Sequence, residues 1–143
     1  MTIQRNSLKC DADVLLADLK EAGATVTEHP WLPDCWEVTG AGNIEELEAF
    51  QDGWFQVQDA AAKVAALAAG AKPGDKVLDV CAAPGGKSFA AAIRLGGKGR
   101  IVSSDIYEHK VPLMEKGAER MGFANMHPRH FDATVFDPEL ENK

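Results

Sequence analysis

Residues 77–88 carry the feature that most constrains the fold, because an apolar run leads directly into a glycine-rich turn and a helix. The run Val77-Leu78-Asp79-Val80 is typical of a buried parallel strand, and a helix is predicted over about 88–95. Between them, Gly85 and Gly86 allow the backbone to approach a ligand closely. Unpaired N–H groups at the start of the helix favour an anionic group. This segment therefore predicts a cofactor-binding loop.

The segment after this loop repeats the pattern of strand and helix. A strand is predicted over 100–105, a helix over about 110–121 and a last strand near 125–130. Val111, Met114, Ala118 and Met121 fall on one face of the second helix, which Gly122 ends. The order β-α-β-α-β predicts an α/β fold with a doubly wound parallel sheet.

The first 57 residues have a different character and predict a small α+β domain. Asp59 can cap an alanine-rich helix that ends at Gly70, and this helix opens the second domain, over 58–143. The elements predicted in 1–57 are a strand over 2–8, a helix from Asp11 or Asp13 to Gly23, strands over 25–28 and 36–39, and a short helix around Ile44 to Phe50.

The spacing of an acidic residue narrows the ligand of the loop. Asp105 lies at the end of the next strand, twenty positions after Gly85, where a carboxylate can accept hydrogen bonds from a ribose. The phosphate-binding P-loop pattern needs a glycine where the chain has Cys81, and G-x-G-x-x-G fails because Val102 replaces its third glycine. An adenosine-containing ligand is favoured, and a nicotinamide cofactor or a turn without ligand stays open.

The segment Leu78-Asp79-Val80-Cys81-Ala82-Ala83-Pro84-Gly85-Gly86-Lys87-Ser88 resembles the cofactor motif of the Sun/Nop2/NSun RNA (cytosine-5)-methyltransferases. The resemblance covers almost the whole chain. It includes Asn6-Ser7-Leu8-Lys9, His29-Pro30-Trp31-Leu32-Pro33 and Phe55-Gln56-Val57-Gln58-Asp59. One departure is that Gln4 stands where the family usually has arginine, with Arg5 one place later.

The resemblance implies the first half of a Rossmann-like methyltransferase sheet, preceded by the small α+β domain with an RNA-binding role. It implies S-adenosylmethionine as cofactor, with Asp105 at the ribose and Asp132 near the adenine. The residues implied around the methionine end are Cys81, Ala82, Ala83, Pro84, Gly85, Gly86 and Lys87. The implied reaction of the whole protein is methylation of carbon 5 of cytosine in ribosomal RNA.

The resemblance implies that none of the three cysteines is the nucleophile of that reaction. The family's catalytic cysteines lie in Pro-Cys and Thr-Cys motifs after the third strand, and Cys10, Cys35 and Cys81 stand in neither context. Cys81 lies inside the turn, which favours a small buried packing residue. We therefore expect a fragment without catalytic residues, inactive alone; a non-catalytic cofactor- or RNA-binding module is the alternative. No C-x-x-C pair and no metal-ligand spacing of histidines is present.

Charge and hydropathy limit the partners. The net charge of −7 argues mildly against a general nucleic-acid binder, but residues 76–131 hold 9 basic and 5 acidic groups. No segment suits a membrane span or a signal peptide, which predicts a cytoplasmic protein. Trp31 and Trp36 favour packing within the small domain over stacking on RNA bases. The strand at 76–80 lacks an outer neighbour, and its open edge predicts self-association.

Overall fold

Two β-sheets organise the chain, an antiparallel sheet near the N-terminus and a parallel sheet after residue 75. The structure is a computed structural model that describes residues 1–141. In that range, no helix is both long and apolar enough to cross a bilayer. We refer to residues 1–57 as the N-terminal unit and to residues 58–141 as the C-terminal unit.

The antiparallel sheet has the strand order β2-β3-β1-β4. Its strands are β1 (Thr2–Arg5), β2 (Thr25–Glu28), β3 (Cys35–Thr39) and β4 (Phe55–Val57), and its helices are α1 (Ala12–Glu21) and α2 (Glu48–Gln51). The core contains Ile3, Leu15, Leu19, Val38 and Phe55, all at most 1% exposed. The predicted α+β composition is present, and β4 adds a strand that the sequence did not predict.

The parallel sheet has the order β5-β6-β7 and agrees with the predicted α/β pattern. Its elements are α3 (Ala60–Ala68), β5 (Lys76–Asp79), α4 (Gly86–Leu95), β6 (Arg100–Asp105), α5 (Val111–Met121) and β7 (Met126–His130). Ile101 of the central strand packs with Phe89 of α4 and Met114 of α5 in one apolar cluster. The helices α4 and α5 therefore cover the face of the sheet to which Ile101 points.

Strand β5 lies at an edge of the sheet, and within residues 1–141 it pairs with β6 alone. Leu78 and Val80 are 38% and 39% exposed. Beside them, Val135 and Phe136 are 58% and 73% exposed. The described residues thus leave an apolar surface next to backbone groups that have no strand partner.

The segment Asn6–Lys9 joins the two units by capping the end of α5. The Asn6 Nδ2 donates to the carbonyls of Gly53 (3.0 Å) and Met121 (2.9 Å). The Lys9 Nζ donates to the carbonyl of Arg120 at 2.9 Å. The last four carbonyls of a helix have no intrahelical partner, and a cation near them is favourable. The segment Asn6–Lys9, which resembles the family pattern, therefore stabilises the contact between the two units.

Arg5, Trp31 and Trp36 are three residues of the N-terminal unit to which the sequence drew attention. Arg5 donates to Asp34 through Nε (3.0 Å) and Nη2 (2.7 Å), so its guanidinium is engaged. Trp36 is 8% exposed, as predicted for a packing residue. The packing prediction for Trp31 is wrong, because it is 62% exposed. His29 and Leu32 occupy the interior positions of this loop, and the Trp31 ring meets His29 edge-on.

Candidate cofactor-binding site

The turn between β5 and α4 is held against the end of β6. The N–H of Ala82 donates to the carbonyl of Ser104 at 3.0 Å, which continues the pairing of the two strands beyond β5. The Ala83–Pro84 peptide bond is cis. Gly85 has a φ of +123°, and a Cβ built there would lie 2.4 Å from Cζ of Phe89. Only glycine suits this position, which brings the turn directly onto the ring of Phe89.

The first turn of α4 offers backbone donors. Its N-cap is Gly85, and within residues 1–141 no side chain caps this helix start. The first helical hydrogen bond runs from the N–H of Phe89 to the carbonyl of Gly85 at 2.8 Å. The N–H groups of Gly86, Lys87 and Ser88 precede it and have no intrahelical acceptor. They form a site for a negatively charged group, aided by the helix dipole.

A short network of polar side chains from β5, α4 and β6 holds this turn in place. Asp79 accepts from the N–H of Cys81 at 3.2 Å and from the hydroxyl of Ser88 at 2.9 Å. Ser88 in turn accepts from the hydroxyl of Ser103 at 2.8 Å. Ser88 and Ser103 are at most 1% exposed, so their hydroxyl groups are satisfied within the protein. Sequence reasoning assigned no role to Asp79, Ser88 or Ser103, although the first two lie inside the motif.

Asp105 is brought into direct contact with the turn. One carboxylate oxygen accepts from the N–H of Ala83 at 3.1 Å, and the other accepts from the N–H of Tyr107 at 3.0 Å. The pKa of Asp105 is lowered, first by the bond from Tyr107 and also by that from Ala83. An ionised carboxylate can accept more than two hydrogen bonds, so both oxygens keep capacity for a ligand.

Cys81 and Lys87 lie at the outer side of the turn. The Lys87 Nζ donates to the carbonyl of Cys81 at 2.9 Å. The expectation that Cys81 is a buried packing residue is wrong, because Cys81 is exposed. Its N–H is bonded to the Asp79 carboxylate in a local turn at the edge strand, where no described element covers the thiol.

Asp132 lies at the same carboxyl end of the parallel strands, two residues beyond β7. The N–H of Phe131 donates to the carbonyl of Asp105 at 3.1 Å, which holds this segment beside the end of β6. The carboxylate of Asp132 accepts from the N–H (2.9 Å) and hydroxyl (2.7 Å) of Thr134, and these bonds lower its pKa. The structure thus joins the turn to Asp105 directly, and it places Asp132 nearby with local partners.

A parallel sheet, a glycine-rich turn at a helix start and an acid at the end of the next strand together define a Rossmann-like fold of the class that binds nucleoside-containing ligands. Residues 66–143 match the family model of the 16S rRNA methyltransferases RsmB/F. The chain belongs to this family.

Individual relatives agree with the family. The probable ribosomal RNA small subunit methyltransferase B of Bacillus subtilis is 33% identical over 142 residues, which are 99% of this chain and 32% of that protein. The crystal structure of PH0851 is 31% identical with a TM-score of 0.91, over 98% of this chain and 31% of that one. A methyltransferase homolog from Pyrococcus horikoshii is 27% identical with a TM-score of 0.80, over 91% and 42%. The chain spans about a third of the length of the curated relatives it matches.

Proposed function

We propose that the whole protein transfers a methyl group from S-adenosylmethionine to carbon 5 of cytosine in ribosomal RNA. In this proposal residues 58–143 hold the cofactor and residues 1–57 form a separate domain on the RNA side. The observation that carries the proposal is the hydrogen bond between the N–H of Ala83 and the carboxylate of Asp105, which joins the turn and the acid in one site.

The residues around the turn suit the two polar ends of the proposed cofactor. The free N–H groups at the start of α4 suit the carboxylate of its methionine part, beside the segment Cys81 to Lys87. The remaining lone pairs of Asp105 suit the two ribose hydroxyls. Asp132 belongs on the adenine side, because it follows the next strand of the sheet. When bound, S-adenosylmethionine supplies an electrophilic methyl group.

We further propose that these 143 residues transfer no methyl group by themselves. Burial raises the pKa of the Cys10 and Cys35 thiols, which disfavours the thiolate that attacks cytosine. Cys81 is exposed, but it belongs to the turn that holds the cofactor. The lack of a suitable thiol among Cys10, Cys35 and Cys81 also favours the second candidate function, a module that binds cofactor or RNA without catalysis.

We also propose that this chain self-associates through the open edge of β5. The exposed Leu78 and Val80 line one cavity of about 360 Å³ together with Val135 and Phe136. A second copy can pair its own edge strand with β5 across a two-fold axis and cover this apolar surface.

Calorimetry tests the cofactor site. Asp105→Ala removes a carboxylate that accepts charge-assisted hydrogen bonds, so we expect binding of S-adenosylmethionine to weaken by about 1–3 kcal/mol. Glu108→Ala is the control, because it removes the same charge from an exposed position three residues away. Equal affinities of the wild type and Asp105→Ala would contradict the assignment, and tighter binding of NAD or ATP would replace the proposed cofactor.

A second assay tests the reaction. We expect no label on cytosine when the chain is incubated with tritiated S-adenosylmethionine and unmodified ribosomal RNA. Label on cytosine would refute the proposed lack of a nucleophile in these 143 residues. Binding of S-adenosylmethionine without transfer would agree with both candidate functions, and transfer by the whole protein would then separate them.

A further inference from the structure

A row of three buried glutamines connects the N-terminal sheet to the start of α4. Gln4, Gln56 and Gln58 are 1%, 2% and 5% exposed, and Gln4 stands opposite Gln56 in the pairing of β1 with β4. The Gln56 Nε2 donates to Oε1 of Gln4 at 3.1 Å and to Oε1 of Gln58 at 2.7 Å. The Gln58 Nε2 donates to the carbonyl of Gly86 at 3.1 Å. The row therefore ends on the first residue of α4.

The backbone carbonyl of Gly86 determines the orientation of these amides. A carbonyl only accepts, so Gln58 must present its Nε2 to Gly86 and its Oε1 to the neighbouring amide. Gln56 must then present its Nε2 to Gln58, and its second N–H meets the oxygen of Gln4. The bonds from Gln56 to Gln58 and from Gln58 to Gly86 run in one direction and polarise each other towards Gly86, whereas Gln4 accepts from the other N–H of Gln56 and so holds that amide in place.

The bond to Gly86 acts on a donor of the proposed cofactor site. The carbonyl of Gly86 and the N–H of Lys87 belong to one planar peptide unit, so holding the carbonyl also holds the direction of that N–H. A donor on the carbonyl also polarises the peptide unit and strengthens its N–H as a donor. Gly86 has no side chain that could fix this peptide plane by packing.

The row of glutamines carries an energetic cost that apolar side chains at the same positions would avoid. The Oε1 of Gln56 is buried without a hydrogen-bond donor among residues 1–141. A buried acceptor without a donor is unfavourable, whereas apolar side chains of similar shape would fill the same space without that loss. The property that the amides add is the hydrogen bond to Gly86.

We propose that Gln58, supported by Gln56 and Gln4, is a positioning residue for the cofactor turn. By way of Gln58, which directly follows β4, the strands β1 and β4 of the N-terminal unit set the direction and donor strength of the Lys87 N–H, which faces the anionic end of the ligand. This inference rests on the proposed function, since it concerns the same site. It assigns a supporting part in cofactor binding to Gln4 and Gln56, on strands of the unit that contains none of the predicted cofactor residues.

The test uses the ¹⁵N-labelled full chain and S-adenosylhomocysteine as the probe. Gln58→Met keeps the length of the side chain but removes both polar atoms, and Gln4→Met perturbs only the far end of the row. Gln51→Met is the matched control, because the exposed Gln51 donates to the carbonyl of Glu45 at 3.3 Å within the N-terminal unit, away from the row. The readouts are the Lys87 amide proton shift without ligand and the affinity by calorimetry.

We expect Gln58→Met to move the Lys87 amide signal upfield and to weaken binding about threefold to tenfold, the effect of one hydrogen bond. Gln4→Met should give a smaller change in the same direction, and Gln51→Met no change. Unchanged affinity in Gln58→Met overturns the proposal, even if the Lys87 signal moves. If Gln58→Met does not fold, Gln4→Met decides by the same two readouts.

Failure of the proposed function gives a different result. In that case the wild type does not bind S-adenosylhomocysteine, and the Lys87 signal alone tests the row. A Lys87 signal unmoved in both Gln58→Met and Gln4→Met then overturns the positioning role. A shift in both variants, with none in Gln51→Met, supports the positioning of the Lys87 N–H in the ligand-free protein.

Discussion

Gly85 should tolerate no side chain, and Gly85→Ala is the sharpest test of how the turn is built. Its φ of +123° with a ψ of −8° lies outside the regions that L-residues adopt readily. A Cβ would lie 2.4, 2.8 and 2.9 Å from three ring atoms of Phe89, and that ring is itself buried. The substitution therefore meets a backbone obstacle and a packing obstacle at the same residue.

The two obstacles have separate magnitudes. Holding a non-glycine residue in a sparsely populated backbone conformation costs about 1–3 kcal/mol. Forcing extra volume into a packed site costs about 1–3 kcal/mol more. We therefore expect Gly85→Ala to lower the free energy of unfolding by about 2–6 kcal/mol.

Urea denaturation of the four proteins of a double-mutant cycle separates these contributions. Phe89→Leu removes the ring, so Gly85→Ala in that background should show only the backbone cost, with a coupling of about 1–3 kcal/mol. Gly97→Ala is the control, because Gly97 has a φ of +76° and open space where a Cβ would lie. A Gly85→Ala variant as stable as Gly97→Ala, with no coupling to Phe89, would refute the reasoning.

Three further predictions concern the junction, the site and the open edge. Asn6→Ala leaves two buried carbonyls without donors and should lower the free energy of unfolding by about 2–4 kcal/mol, whereas the exposed Ser7→Ala should change it by less than about 0.5 kcal/mol in the same urea titration. Because the pKa of Asp105 is lowered in the folded protein, its carboxylate stabilises the fold above about pH 4, and this contribution is lost as the pH falls through the folded pKa. The difference in free energy of unfolding between the wild type and Asp105→Asn should therefore shrink between pH 7 and pH 3. A difference that stays constant would contradict this. Light scattering should show a mass that rises with concentration and that Val80→Lys reduces but Val14→Lys, at a similarly exposed apolar site on α1, does not; a strictly monomeric wild type up to millimolar concentration would exclude the self-association.

The order of elements in the C-terminal unit could be predicted because each element carries its own signal. β6 has the predicted bounds, and α5 begins within one residue of the predicted start and ends at the predicted residue. In the N-terminal unit the predictions were less complete. β1 ends at Arg5 instead of residue 8, because the Asn6 carbonyl accepts from the N–H groups of Lys9 and Cys10 in a turn. β4 has three residues, too few for an alternating pattern, and exists because β1 pairs with it.

The wrong predictions concern exposure, which depends on neighbours that are distant in sequence. Cys81 and Trp31 are residue types that are often buried, yet both are exposed, because no described element covers them. Gly117 shows the opposite case. Glycine disfavours a helix, and the sequence offers no reason for it in α5, but a Cβ there would lie 2.4 Å from the Phe89 ring. The ring of Phe89 thus accounts for the glycines at 85 and 117 together.

Separation along the chain explains which parts of the site were predictable. Asp105 could be related to the turn because parallel strands joined by one helix bring their carboxyl ends together at a regular spacing. The bond from Asn6 to Met121 spans 115 residues, and the bond from Gln56 to Gln4 spans 52. No local pattern reports such contacts. Together with the bond from Gln58 to Gly86, they hold the end of α5 and the beginning of α4 against the N-terminal unit. The geometry of the turn therefore depends on strands that lie outside the parallel sheet.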